Sequence, residues 1–111
     1  MIVTLDCKQT GGFSAALLNT RDLANNKEKQ IRTPLAAMGY HMEGMKQHTI
    51  GGKEARGFRC SYTVQGGGMT GESYVIKDRK KLWYLHVYMR TALLDESLPV
   101  WEEILDAAAF Q

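Results

Sequence analysis

The segment KLWYLHVYMR, residues 81–90, is apolar or aromatic at nearly every position from Leu82 to Met89. A strand with one solvated face would alternate apolar and polar side chains. The run therefore predicts a strand that is either covered on both faces or presents aromatic rings and His86 to a ligand. His86 is the one side chain in this run with ordinary acid–base chemistry near neutral pH.

Two further strands precede this segment. Residues 58–64 alternate Phe, Cys, Tyr and Val with polar residues, and residues 69–77 form the second strand. Gly66 to Gly68 and Asp78 to Lys81 supply the turns, so the three strands form an antiparallel meander. A strand over residues 41–50 precedes them, joined through a tight hairpin at Gly51 and Gly52, because glycine accepts the positive φ that such turns need.

The N-terminal part predicts a hairpin and a helix. Ile2 to Cys7 and Phe13 to Asn19 are the two strands of the hairpin. Thr20 or Asp22 is expected to cap the start of the helix and Gly39 to end it, with Pro34 kinking or dividing it. Its apolar positions are expected to face the sheet; they are Leu23, Ile31, Leu35 and Met38. Its polar positions are expected to face water; they are Asn25, Lys27, Glu28 and Lys29.

The C-terminal segment DESLPVWEEILDAAAF predicts a second helix with Pro99 in its first turn, where the missing amide donor costs little. Its expected buried stripe is Val100, Trp101, Ile104, Leu105 and Ala108. The order ββαββββα predicts an α+β fold, a three-layer α/β/α sandwich around an antiparallel sheet. Residues 1–111 are expected to form a single domain.

The turns also predict the register of the meander. If Gln65 opposes Met69 and Lys77 opposes Leu82, then Cys60 shares a face with Trp83, whereas Ser61 shares the other with His86. The first face is expected to form the core beneath the Trp101 helix. The second, mixed face is expected to hold Arg59, Ser61, Thr63, Ser73, Val75, Leu82, Tyr84, His86 and Tyr88.

The sequence lacks the motifs that most catalytic and cofactor-binding sites require. The glycines at 66, 68 and 71 match GxGxxG, but a strand follows them, so they belong to a hairpin and not to a dinucleotide site. No metal-ligand spacing is present, and no cofactor is expected. The predicted register places Cys60 and His86 on opposite faces, which would exclude a cysteine–histidine pair. Cys7 and Cys60 are expected to be free, buried thiols, although one disulfide between them is left open.

The predicted row of Ser61, Ser73 and His86 is the nearest approach to a catalytic arrangement. Serine beside histidine can be activated when an acid orients the ring, but no acidic residue falls in this row. Two interpretations stay open: satisfied hydroxyls, or a small-ligand or hydrolytic site. The basic run at Arg79, Lys80 and Lys81 is interpreted as a charged hairpin tip.

The net charge and the lengths of the apolar runs argue against a nucleic-acid partner and a membrane span. A net charge of +2 is too small to indicate a nucleic-acid partner, and no apolar run reaches the roughly 20 residues of a membrane span. No signal peptide is evident, which favours the cytoplasm by default, although a trimmed N-terminus or an exported lipoprotein fragment is left open. The oligomeric state is also left open.

The pattern of residues over about the last 60 positions resembles the PsbP-like superfamily. The segments that carry this resemblance are IGGKEARGFRCSYTV, LWYLHVYM and PVWEEILDAAAF. That group includes the PsbP subunit of photosystem II, a Ran-binding import factor and small bacterial proteins of unknown role. The resemblance implies an α/β/α sandwich that binds other proteins and is not an enzyme.

The leading hypothesis is therefore a non-enzymatic accessory or protein-interaction domain with another protein as partner. Its candidate binding surface is Arg59, Ser61, Ser73, Tyr84, His86, Tyr88, Arg79, Lys80 and Lys81.

Overall fold

A computed structural model describes residues 1–9, 19–78 and 81–108. Five antiparallel strands form one sheet in the order β1-β5-β4-β3-β2. The elements are β1 (Ile2–Gln9), α1 (Thr20–Leu35), β2 (His41–Ile50), β3 (Lys53–Val64), β4 (Gly67–Asp78), β5 (Lys81–Arg90) and α2 (Leu94–Ala107), with short 3-10 helices at Ala36–Met38 and Thr91–Leu93.

The two helices lie on opposite faces of the sheet, so the predicted α+β sandwich of three layers is confirmed. The first strand precedes α1 as predicted, and it pairs with β5. The predicted second strand, residues 13–19, lies outside the described residues except for Asn19. That residue, and not the predicted Thr20 or Asp22, caps α1, accepting a hydrogen bond from the backbone amide of Arg21 at 2.8 Å. No helix in the described ranges is long and apolar enough to span a bilayer.

Two-residue turns join β2 to β3 and β3 to β4. Gly51 and Gly52 have φ of 59° and 78°, which confirms the predicted tight hairpin. Gln65 and Gly66 also have positive φ, 50° and 79°, and the strands pair directly beside them, Val64 with Gly67. Positive φ at both central residues is the geometry that matches the twist of paired strands.

This second turn corrects the predicted register of β3. The prediction of a turn over Gly66 to Gly68 was wrong, because Gly67 and Gly68 belong to β4. As a result, Cys60 pairs with Gly71. The shift is an odd number of residues, so every β3 side chain changes face relative to the prediction. The predicted register between β4 and β5 is confirmed, with Lys77 opposite Leu82.

The larger core lies between α2 and the sheet. Trp101 is fully buried, and Leu105 is nearly so. Helix α2 begins at Leu94, so Pro99 lies beyond the first turn, and Val100, predicted in the buried stripe, is 46% exposed. The buried members of this core are Ile50, Ala55, Tyr74, Ile76, Leu85, Val87, Met89, Trp101 and Leu105.

A buried carboxylate on the sheet forms a hydrogen bond with α2. Glu72 on β4 is 3% exposed, and its Oε1 accepts hydrogen bonds from Tyr74 Oη at 2.6 Å and Trp101 Nε1 at 3.1 Å. Arg59 Nε donates to the other oxygen, Oε2, at 2.9 Å. Burial by itself would raise the pKa of Glu72, but the donors from Tyr74, Arg59 and Trp101 outweigh it and hold the pKa below its usual range.

The second core lies under α1. Phe58, Cys60 and Tyr62 of β3 are buried there against Ile31 and Leu35, two of the predicted helix contacts. Met38 was predicted to face the sheet and is 41% exposed, because it follows the α-helix in a 3-10 turn.

Glu28 was predicted to face water, but it is 4% exposed. It binds Arg32 one turn along the helix and accepts a hydrogen bond from Tyr40 Oη at 3.2 Å. The donor from Arg32, with a smaller contribution from Tyr40, keeps the pKa of Glu28 low in spite of burial. The paired carboxylate can therefore occupy the sheet-facing side of α1.

Gly57 is a close-contact position in β3. A Cβ on this residue would overlap the backbone carbonyl oxygen of Ser73, whereas a Cβ on Gly44 of β2 would meet nothing within 4 Å. We expect Gly57→Ala to lower the free energy of unfolding by about 3 kcal/mol or more, because backbone atoms cannot move aside cheaply. Gly44→Ala is the matched control and should be neutral or slightly stabilising. Urea denaturation of both variants measures this; equal effects would contradict the strand packing.

The Glu72 carboxylate predicts an acid dependence of stability. Because its folded pKa is depressed, its contribution is present above the ordinary value of 4.5 and is lost as the pH falls through the folded pKa. We expect Glu72→Gln to be less stable at pH 7 by about 2 kcal/mol, and to lose less stability than wild type between pH 5 and 3. Denaturation midpoints across this range measure both. Exposed Glu103→Gln is the control, and an unchanged acid dependence in Glu72→Gln would refute the assignment.

Candidate functional site

His86 lies near the middle of β5, between Thr4 of β1 and Ser73 of β4. Ser73 Oγ and His86 Nδ1 share a hydrogen bond, and the two residues are only 4% and 7% exposed. The predicted proximity of Ser73 and His86 is therefore confirmed. Burial, aided by the nearby Lys27 ammonium, lowers the pKa of His86 to about 4, so the imidazole is neutral at physiological pH.

Cys60 lies on the same face as His86, which corrects the prediction that geometry excludes this pair. The two side chains flank Gly71: a Cβ on that glycine would lie 3.2 Å from Cys60 Sγ and 3.4 Å from His86 Nε2. The face that β3 adopts brings the thiol here, and Gly71 carries no side chain that would crowd the thiol and the imidazole. Sequence reasoning missed Gly71, because its importance depends on this register.

The chemistry of this pair is that of two neutral groups. Burial raises the pKa of the Cys60 thiol to about 11, and the residue is 0% exposed. A catalytic cysteine needs a thiolate and access for its substrate. Among the described residues, His86 Nε2 has no hydrogen-bond partner, so no acid orients the ring as a serine or cysteine triad requires.

Two members of the predicted binding surface lie on the opposite side of the sheet. Ser61 pairs with Thr70 on the face of α2, and Arg59, on the same face, binds Glu72. The predicted row of Ser61, Ser73 and His86 is therefore wrong in its first member. The cause is again the β3 register, because Ser73 and His86 belong to the two strands whose register was predicted correctly.

A cavity of about 130 Å³ lies between α1 and the sheet beside the Ser73–His86 pair. Tyr88 packs on His86 with ring centroids 4.2 Å apart, and Tyr84 lies on the other side of His86 along β5. We call this space the inner cavity; its lining residues are Thr4, Asp6, Lys27, Ile31, Ser73, Tyr74, Tyr84, Leu85, His86 and Tyr88.

Sequence reasoning missed Thr4, Asp6 and Lys27 in this cavity. The two β1 residues were placed on the polar side of their strand correctly, but the pairing of β1 with β5 has no local signal. Asp6 brings a carboxylate to the cavity, although it sits opposite Tyr84 and not in the row of His86. The row of His86, which runs from Thr4 through Ser73 to Phe58, contains no acidic residue at these described positions.

The basic hairpin tip is only partly described. Arg79 and Lys80 lie outside the described residues, and Lys81 is exposed opposite Asp78. Asp78 also forms an ion pair with Lys53, with Oδ1 and Nζ 3.2 Å apart, so an acidic side chain lies beside this tip. Within the described ranges, no group of three or more His, Cys, Asp or Glu side chains could hold a metal ion.

Comparison with known proteins establishes the fold. No protein-family model and no curated protein matches this chain. The solution structure of cyanobacterial PsbP from Synechocystis sp. PCC 6803 is similar with a TM-score of 0.65 at 9% identity, over 93% of this chain and 62% of that one. The crystal structure of PA94 from Pseudomonas aeruginosa, a protein of unknown function suggested to be a regulator, gives 0.63 at 11% identity, over 100% and 85%. The chain has a PsbP-like fold, as the resemblance implied.

The two cysteines should differ sharply in reactivity. Both are free; Cys7, which was expected to be buried, is exposed on β1, whereas Cys60 is buried with a raised pKa. With Ellman's reagent at pH 7.5 we expect one thiol to react in the folded protein and two after denaturation, because only the exposed thiol is accessible to the reagent.

Two variants assign the thiols. Folded Cys7→Ser should release almost no colour, and folded Cys60→Ala should react like wild type. Rapid labelling of folded Cys7→Ser would show an accessible, ionised Cys60 and would restore a cysteine–histidine mechanism.

Proposed function

We propose that this PsbP-like domain is a non-enzymatic interaction module that binds an extended segment of another protein along β1. The observation that carries the proposal is the exposure of β1: all eight residues are exposed, and Ile2, Val3 and Leu5 are 64%, 39% and 58% exposed. An apolar edge strand of this length favours pairing with another chain.

The apolar surface of β1 continues the main core. Val3 and Leu5 pair with Val87 and Leu85, which are buried beneath α2. The row of apolar side chains therefore runs from the core onto an exposed strand without a polar boundary. A partner strand with apolar residues at alternate positions would extend this core.

The backbone of β1 supplies the second part of the binding mode. In the described part of the chain, β1 pairs with β5 along one side and no strand pairs with its other side. Main-chain hydrogen bonds to such an edge give affinity, and alternate side chains give specificity.

We assign the occupant to a different protein and not to a second copy. Two β1 strands pairing with each other would contribute eight residues each, well short of the roughly 20–30 residues per side of a stable interface. A flexible partner segment can continue past the strand and bury further surface.

The non-enzymatic part of the proposal is supported by the neutral, buried state of the Cys60–His86–Ser73 group. Its thiol is inaccessible, and its imidazole has one hydroxyl partner and no acid among the described residues. A role through binding also suits the regulatory function suggested for PA94.

The test compares two exposed apolar positions. Tagged wild type, Leu5→Lys and Met45→Lys are purified from the cells that make the protein, and bound proteins are quantified by mass spectrometry. Met45 is the control because it is 45% exposed on β2, at the other edge of the sheet. We expect Leu5→Lys to lose a partner that Met45→Lys retains, with unchanged circular dichroism.

The partner is then reconstituted with the purified domain. We expect the complex to protect the β1 amides from hydrogen exchange and to leave β2 amides unchanged, because strand pairing gives the β1 amides acceptors. Loss of the partner from both variants, or protection elsewhere only, would refute the β1 site. A dimer abolished by Leu5→Lys would refute the assignment to a different protein.

A further inference from the structure

A second space adjoins the inner cavity on the α1 side of the sheet, away from the apolar side of β1. It has a volume of about 110 Å³, and we call it the Tyr84 cleft. It shares Lys27 and Tyr84 with the inner cavity, so the two spaces are adjacent. The residues that line it are Lys8, Leu23, Asn26, Lys27, Gln30 and Tyr84.

Two ammonium groups meet at the ring of Tyr84. Lys8 Nζ lies 5.4 Å and Lys27 Nζ 5.2 Å from the ring centroid. They come from different elements, β1 and α1, and the cleft lies between those elements. Each cation–ring contact is weakly favourable at an exposed site, but bringing two like charges to one ring costs Coulomb energy.

Neither lysine has a counter-ion in the described part of the chain. The ion pairs there join other residues, and Asp6, which lines the neighbouring inner cavity, is in none of them. Among the described residues, no carboxylate lines the Tyr84 cleft itself, and Asp6, which pairs with Tyr84, lines the neighbouring inner cavity. The remaining polar walls, Asn26 and Gln30, carry amide groups that can donate hydrogen bonds.

We propose that the Tyr84 cleft binds the oxyanion group, carboxylate or phosphate, of a small molecule. The anion would lie between Lys8 and Lys27 and remove their mutual repulsion, with the side-chain amides as further donors. The rest of the molecule would enter the inner cavity, where Thr4 and Ser73 offer hydroxyls and Tyr88 offers a ring face.

The two volumes set the size of this ligand. Drug-sized ligands occupy pockets of roughly 300–1,000 Å³, whereas the cleft and the inner cavity measure about 110 Å³ and 130 Å³. The site therefore suits a molecule with a few heavy atoms beyond its anionic group, and not a nucleotide.

The experiment titrates the protein with sodium phosphate in one arm and sodium propionate in the other, at constant ionic strength. Proton–carbon NMR spectra follow the rings of Tyr84 and His86. We expect saturable shifts of both rings in at least one arm, and the arm that saturates identifies the anion class. Absence of saturation in both arms would overturn the proposal.

Three charge-removing variants test the site. Lys8→Gln and Lys27→Gln should each weaken binding at least tenfold, and Lys29→Gln should change it less than twofold. Lys29 is the control because it is exposed on the same helix and does not line the cleft. Equal weakening by all three variants would indicate general charge screening and overturn the proposal. Since β1 docking is tested through Leu5, the two proposals can fail separately.

Discussion

The two-residue turn at Gln65–Gly66 sets the register on which the rest of the structure depends. Both residues have positive φ, so β3 reverses at once into β4 and Val64 pairs with Gly67. This register puts Phe58, Cys60 and Tyr62 under α1 and leaves Tyr74 and Ile76 of the next strand under α2. A register of β3 shifted by one residue would put both sets on the face of α2 and leave α1 without its apolar contacts on β3.

The same register decides the charge state of the buried polar groups. Glu72 faces α2, where Tyr74, Trp101 and Arg59 all donate to it, so the carboxylate stays charged in the core. His86 faces α1, where Ser73 is its one hydrogen-bond partner among the described residues and Lys27 opposes a second positive charge. It therefore stays neutral. Glu72 and His86 are both buried, but the carboxylate is charged and the imidazole is neutral, because hydrogen-bond donors surround the carboxylate whereas a cation faces the imidazole.

The two faces of β1 serve different chemistry in our proposals. Val3 and Leu5 extend the apolar rows of β5, whereas Asp6 and Lys8 point toward α1 and its polar side chains. This division follows from the alternation of side chains along a strand. One short strand can therefore carry an apolar docking edge and one wall of a polar cleft without conflict.

The sequence by itself determined the elements and much of their pairing. Alternation in β3, the glycine pair at 51–52 and the Trp101 helix are local patterns, and each produced the predicted element. The pairing of Ser73 with His86 was also accessible, because only two residues separate the paired strand ends Asp78 and Lys81 in sequence. Tertiary structure alone decided three further points: the pairing of β1 with β5, the face of Cys60 and the burial of Glu28. The first joins segments about 80 residues apart in sequence, for which local patterns carry no register information. The second depended on which of several adjacent glycines formed the turn, and the third on Tyr40 and Arg32 reaching a carboxylate that sequence pattern alone assigns to solvent.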